Sequence, residues 1–109
     1  MTAEHRTTPP LSAAKGTSNE PLFDLGALVA TPGALALLKE LGLPSLKFLA
    51  RHWYGDWGDI CTDDRNANRN ALVYQQRIVS SYNLEGHRRL WIITEADRSS
   101  TTLLLPEEY

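Results

Sequence analysis

Apolar residues along the chain change their spacing beyond residue 76, and the change divides it into a helical half and a strand half. Gly33–Leu41 carries Leu35, Leu38 and Leu41 on one stripe with Leu37 beside it, the pattern of an amphipathic helix. Thr31-Pro32 precedes this stripe and Gly42 follows it. Threonine suits an N-cap, proline the first helical position and glycine the left-handed residue just past a helix end. A second helix is predicted from near Pro44, with Leu46, Leu49, Ala50 and Trp53 at helical spacing; these leucines are expected in the core. A third, about Asp63–Tyr74, is polar, with Ala67, Ala71 and Tyr74 as a thin apolar line. Thr62 reads as its N-cap, and Asp63 and Asp64 fall in the first turn, where the helix dipole favours acids.

After Gln76 the period becomes two. Arg77–Leu84 alternates Ile78, Ser80 and Tyr82 with Val79, Ser81 and Asn83, a strand whose small residues pack under something large. Asn83–Gly86 reads as a turn. Leu90–Thr94 (LWIIT) is apolar and β-branched, the composition of a strand buried on both faces, and Trp91 is expected to be largely buried. Glu95–Ser99 interrupts with polar turn formers before Thr101–Leu105 resumes, a hairpin with a loop of about five residues. Leu22–Ala30 shows weak alternation and reads as a short edge strand or extended lead-in. The fold class expected is α+β: N-terminal helices packed on a three- or four-stranded antiparallel sheet formed mainly by the C-terminal half.

Composition sharpens the boundaries. Residues 1–20 contain Pro9-Pro10, Lys15-Gly16-Thr17-Ser18-Asn19 and no large apolar residue beyond Leu11. Such a stretch buries too little surface to offset the entropy of ordering it. The organisation expected is a disordered extension over 1–20 and one α+β domain over 21–109. No apolar run suits a secretory signal or a membrane span. The single cysteine, Cys61, excludes an internal disulfide and a cysteine-based zinc site, and a small buried cysteine is the simplest reading of it. These features point to the cytoplasm. A net charge of −2 argues against a dedicated nucleic-acid binder.

Candidate chemistry is sparse. Asp56, Asp59, Asp63 and Asp64 cluster without the alternate-ligand spacing of a calcium loop, and His52, His87 and Cys61 lack zinc spacing. No metal site and no cofactor is expected. Trp57, between Gly55 and Gly58, is either a lid folded back on the core or an exposed anchor for a partner. Asp56, Trp57, Asp59 and Arg98 are the candidate binding residues. If the 55–59 and 95–99 loops meet, they set an aromatic ring among charges; the alternative is that Asp56 or Asp59 pairs with Arg98 to pin the loop. Tyr82, His87, Arg88, Arg89 and Arg98, together with Tyr109, form the one set with enzymatic potential. Arginines would neutralise phosphate while His or Tyr handles the proton, as in small RNase toxins. The acidic balance and the acids at the C-terminus oppose that alternative.

Gly55–Asp59 (GDWGD), the asparagine-rich third helix, Ser80-x-Tyr82 and the string WIITEADRSSTTLLLPEEY at Trp91–Tyr109 together resemble a family of small bacterial proteins. Its members are carried on plasmids and integrative elements and are labelled "plasmid related protein", some of them type I restriction subunit M. The chain is too short for a methyltransferase domain and has no glycine-rich cofactor loop. The resemblance covers Leu22–Tyr109 and implies a genomic habitat, with no catalytic residues. The function expected is therefore that of a non-enzymatic protein-binding accessory factor of a mobile element. Its unidentified protein partner would belong to host defence or restriction.

Overall fold

Among the described residues, one strand precedes three helices and three further strands follow them. A computed structural model describes residues 19–109. In chain order these give β1 (Ala27–Ala30), α1 (Pro32–Leu41), α2 (Ser45–Trp53), α3 (Thr62–Tyr74), β2 (Ile78–Leu84), β3 (Arg88–Thr94) and β4 (Ser100–Leu104). Short 3-10 turns at Glu85–His87 and Pro106–Glu108 complete the chain. The disordered extension expected over 1–20 falls, up to residue 18, outside the described residues.

The strands form one sheet in the order β1-β4-β3-β2. β2 and β3 pair antiparallel with Ser81 opposite Trp91, and β3 and β4 pair antiparallel with Trp91 opposite Leu104. β1 departs from the expected antiparallel order. It lies parallel to β4, Leu28 beside Thr101, because three helices and two strands intervene and leave ample chain for a crossover. α1 is capped as its sequence requires: the Thr31 hydroxyl accepts from the Ala34 N–H at 3.1 Å, and Gly42 takes φ 68° at the far end.

The pleat gives the sheet two unlike faces. Tyr82, Leu90, Ile92 and Leu103 point inward and pack with Ala34 and Leu38 of α1 and Phe48 and Leu49 of α2. Trp57, Ala71 and Ile78 make a second cluster, with Phe23, Ile60 and Leu72 against it. Helix phasing differs from expectation at several leucines. Leu35 and Leu46 are exposed, because α1 buries Ala34, Leu37 and Leu38, and α2 buries Phe48, Leu49 and His52. Tyr74 of α3 is likewise exposed, and Asn68 and Ala71 face inward instead.

Candidate functional site

The 55–59 loop is a structural strap. Trp57 is only 4% exposed, the lid alternative of the two posed by the sequence. Its carbonyl accepts from the Ser81 N–H at 3.2 Å, and the Asp59 N–H donates to the Ser81 carbonyl at 2.6 Å. Gly58 makes this approach possible: at φ +79°, a Cβ there would lie 2.3 Å from the Ser81 carbonyl oxygen. Asp56 pairs with Arg51 at 2.8 Å and Asp59 accepts from the Asn83 N–H at 2.9 Å. The buried Asn68 amide completes the row, donating to the Val79 carbonyl and accepting from the Val79 N–H. Every second backbone position on the free side of β2 is thus occupied, which blunts a sheet edge that would otherwise invite pairing.

Arg98 does not meet Asp56 or Asp59. Its guanidinium donates to the carbonyls of Ala71 at 2.9 Å and Gln76 at 2.6 Å, closing the C-terminal end of α3, and to those of Glu95 and Ala96 in its own loop. It also lies 5.7 Å from the Phe23 ring centre. A cation satisfying orphan carbonyls at a helix C-terminus is a stabilising arrangement in itself.

The enzymatic set is dispersed. Tyr82 is buried, its hydroxyl donating to the Asp56 carbonyl at 2.7 Å, and burial pushes its pKa upward. Arg88 pairs with Glu40 at 3.0 Å. His87 and Arg88 stand at the β2–β3 end of the sheet, and Arg98 belongs to the β3–β4 loop at the other end. Arg88 and Arg89, adjacent on β3, point to opposite faces. The acids at the C-terminus serve architecture too. Glu108 accepts from the Thr31 hydroxyl, the Leu105 N–H and the Gly33 N–H, so it neutralises the start of α1; the Thr31 bond above all holds its carboxyl below the usual range.

One buried constellation escaped the sequence. His52, fully buried, lies 2.6 Å through Nδ1 from the Ser80 hydroxyl and 2.9 Å through Nε2 from the Thr94 hydroxyl. Thr94 bonds Thr101 at 2.7 Å, and Thr101 donates to the Leu25 carbonyl at 2.7 Å. Each hydroxyl has one proton, so the directions follow from that last bond. Thr101 spends its proton on Leu25; Thr94 therefore donates to Thr101, His52 Nε2–H donates to Thr94, and Ser80 donates to Nδ1. The imidazole is neutral, and burial lowers its pKa to about 3. A serine bonded to an imidazole looks like a nucleophile and its base, but no carboxylate orients the ring. Ser80 and His52 are both fully buried, so no substrate reaches them. The pair welds α2 to β2, β3 and β4. Its signal in the sequence was the two small residues of Ser80-Ser81, which call for a large partner on one face but do not name it.

The outer face of the sheet is open only in part: Ile93 and Leu104 on it are buried, while Val79 and Trp91 are half-buried and Arg89 is exposed. A groove of about 440 Å³ runs between α3 and the sheet, with Val79, Ser81, Arg89 and Trp91 contributed by β2 and β3, and Cys61, Asp64 and Asn68 by α3 and its cap. Trp91 is half-buried, short of the burial expected for it, because it faces this groove and not the inner core. The Tyr109 ring meets it edge-on at 5.7 Å, and Arg77 donates to the Tyr109 hydroxyl at 2.7 Å. Cys61 is exposed, not buried: it is the N-cap of α3, its sulfur accepting from the Asp64 N–H at 3.5 Å. Arg89 is exposed, and its side chain makes no hydrogen bond or ion pair among the described residues. The Ser81 hydroxyl is buried against the groove without a hydrogen-bond partner; among the described residues it shares that condition only with Trp57 Nε1. Among the described residues no three His, Cys, Asp or Glu side chains gather to hold a metal ion, and no helix is long and apolar enough to cross a membrane. No protein-family model, curated protein or solved structure is significantly similar to this chain.

Proposed function

We propose that this protein is a non-enzymatic binding protein that engages another protein through the groove on the outer face of its sheet. The observation that carries the reading is the contrast in how its chemical groups are spent. Tyr82, His52, Ser80, Arg88, Arg98 and Asp56 are all committed to internal bonds. Arg89 stands uncommitted beside a half-exposed tryptophan. An arginine and an aromatic ring at the centre of a concave surface are the residue types that dominate interface energetics. Of the groups proposed from sequence, Asp56, Trp57 and Asp59 belong to the strap that orders the edge of β2, and Arg98 closes the end of α3 beside it. The resemblance of Gly55–Asp59 and Trp91–Tyr109 to plasmid-borne proteins supports a cytoplasmic accessory role on a mobile element, acting on host defence or restriction.

The test is capture from host lysate with tagged protein, comparing wild type with Arg89→Glu. The expected result is a co-purifying protein lost in the variant while the melting temperature is unchanged. Capture indifferent to Arg89→Glu, or no stoichiometric partner, refutes the reading.

A further inference from the structure

We infer that the protein forms a two-fold symmetric dimer in which the β1 strands of two copies pair antiparallel and join the two sheets into one. The inference concerns the sheet edge opposite the strap and is independent of what the groove binds. The chain treats its two edges differently. On β2, the outward backbone groups of Val79, Ser81 and Asn83 are met by Asn68, Trp57 and Asp59. On β1, among the described residues, no group does the same. The Ala27 N–H donates to the Ser99 carbonyl and the Thr31 N–H to the Leu103 carbonyl, so Ala27, Val29 and Thr31 turn their backbone groups to β4. Leu28 and Ala30, which alternate with them, turn their N–H and C=O groups outward. These have no partner among the described residues. The side chains are as bare as the backbone. Leu28 is 54% and Val29 47% exposed, on opposite faces of the strand, and of the four residues only Ala30 packs against the core.

An unpaired row of backbone groups calls for another strand, and three features make that strand β1 of a second copy. The first is register. With the two-fold axis at Val29, Leu28 faces Ala30 of the second copy and Ala30 faces its Leu28, so every outward N–H and C=O is used once. The large Leu28 side chain then lies beside a small alanine on one face, and the two Val29 side chains meet on the other as a β-branched pair. The ladder ends by itself, because the next pair brings in Pro32, which has no N–H and begins α1. The second feature is charge. Ala27–Ala30 carries none, so two copies set no like charges opposite one another. Neither a lysine nor a proline within the strand keeps the edge apart, as such residues do on guarded edges. The third is closure. The strap covers β2 in both copies, so pairing through β1 leaves no open edge, and assembly stops at two instead of growing into a fibre.

The experiment is sedimentation velocity on the full chain across a concentration series, joined to disulfide trapping of single-cysteine variants. The variants are made in a Cys61→Ser background, where serine keeps the cap of α3. A monomer–dimer equilibrium with no larger species is expected. Leu28→Pro removes an outward N–H and spares the bonds to β4, so it should weaken the dimer at least tenfold. Val29→Lys, which sets two ammonium groups against each other at the two-fold axis, should do the same while the chain stays folded. Val29→Cys should give a disulfide-linked dimer on mild oxidation, because a non-hydrogen-bonded antiparallel pair holds its Cα atoms about 4.5 Å apart. Leu28→Cys should not, since its two copies lie on a diagonal roughly 7–8 Å apart. If Leu28→Pro fails to fold, the two cysteine variants still decide. A monomer at every concentration overturns the inference, including the case in which the edge captures a strand of another protein. So does a dimer that survives Val29→Lys, growth beyond two copies, or trapping through Leu28 in preference to Val29.

Discussion

Ser80 and Ser81 are neighbours on one strand, yet they stand in opposite chemical worlds. On the inner face, Ser80 donates into a chain of four bonds running through His52, Thr94 and Thr101 to the Leu25 carbonyl, with every proton assigned and all four side chains buried. On the outer face, the Ser81 hydroxyl is buried without a partner, beneath a groove lined by a half-exposed tryptophan and by Arg89, which is unpaired among the described residues. The inner face looks more like an active site by inventory, holding the serine, the histidine and the tyrosine. By accounting of bonds it is the finished half of the molecule. Residue types that suggest chemistry are therefore a weaker guide than whether their hydrogen bonds are already satisfied.

Acid should break the inner face first. His52 is neutral in the folded protein down to about pH 3, whereas an unfolded histidine takes up a proton below its ordinary value of 6.5. Above pH 6.5 both states are neutral and the residue contributes no pH dependence. As pH falls from 6.5 toward 3, the unfolded chain binds the proton that the folded chain refuses, and stability drops by about 1.4 kcal/mol per pH unit. Roughly 2 kcal/mol is lost by pH 5 and on the order of 5 kcal/mol by pH 3, enough to unfold a domain of ordinary stability. The groups against the ring, Ser80, Thr94 and Phe23, carry no charge that could hold an imidazolium. Denaturant melts of wild type and His52→Gln across this range check it; parallel pH profiles would deny His52 the role.

Adjacent residues on β3 sharpen the same contrast. Ile92→Ala, on the sealed face, should cost about 2–5 kcal/mol. Trp91→Ala removes more atoms but from the open face. Its cost should fall below both that of Ile92→Ala and the roughly 3–5 kcal/mol typical of a buried tryptophan. A larger loss at Trp91 would mean that the outer face is packed as tightly as the inner. Arg98→Ala, which uncaps α3 and unstacks Phe23, should lower stability by roughly 1–2 kcal/mol, or a melting temperature fall of about 4–8 °C for each kcal/mol. Arg89→Ala should change stability by less than about 0.5 kcal/mol, since its side chain makes no hydrogen bond or ion pair among the described residues. A measurable loss there would place Arg89 in the architecture and empty the groove of its free cation.

Local chemistry wrote much of this fold into the chain. The cap and stop of α1 at Thr31, Pro32 and Gly42, the apolar stretch of β3 at Leu90–Thr94 and the five-residue loop at Glu95–Ser99 were all legible, because each depends on residues within a few positions of one another. Helix phase was less so. Leu35 and Leu46 fit an apolar stripe as well as their buried neighbours do, and which side of a helix turns inward depends on where the sheet lies. His52 shows why: it takes the buried position beside Leu49 only because Ser80 and Thr94, 28 and 42 residues away, meet both its nitrogens.

The candidate site was hardest to read, since its defining property is a lack. Sequence points to Asp56 and Arg98 as binding residues, puts Arg89 in the alternative nuclease set and assigns Asp64 to the first turn of a helix. Only the folded chain spends Arg98 on the end of α3 and Asp56 on Arg51 while leaving the side chains of Arg89 and Asp64 without a bond among the described residues. The parallel docking of β1 beside β4 is of the same kind. Periodicity and capping are set by neighbours along the chain, and so the sequence alone determined the elements. Pairing partners, helix phase and unsatisfied groups are set by neighbours in space, and those only the tertiary structure could decide.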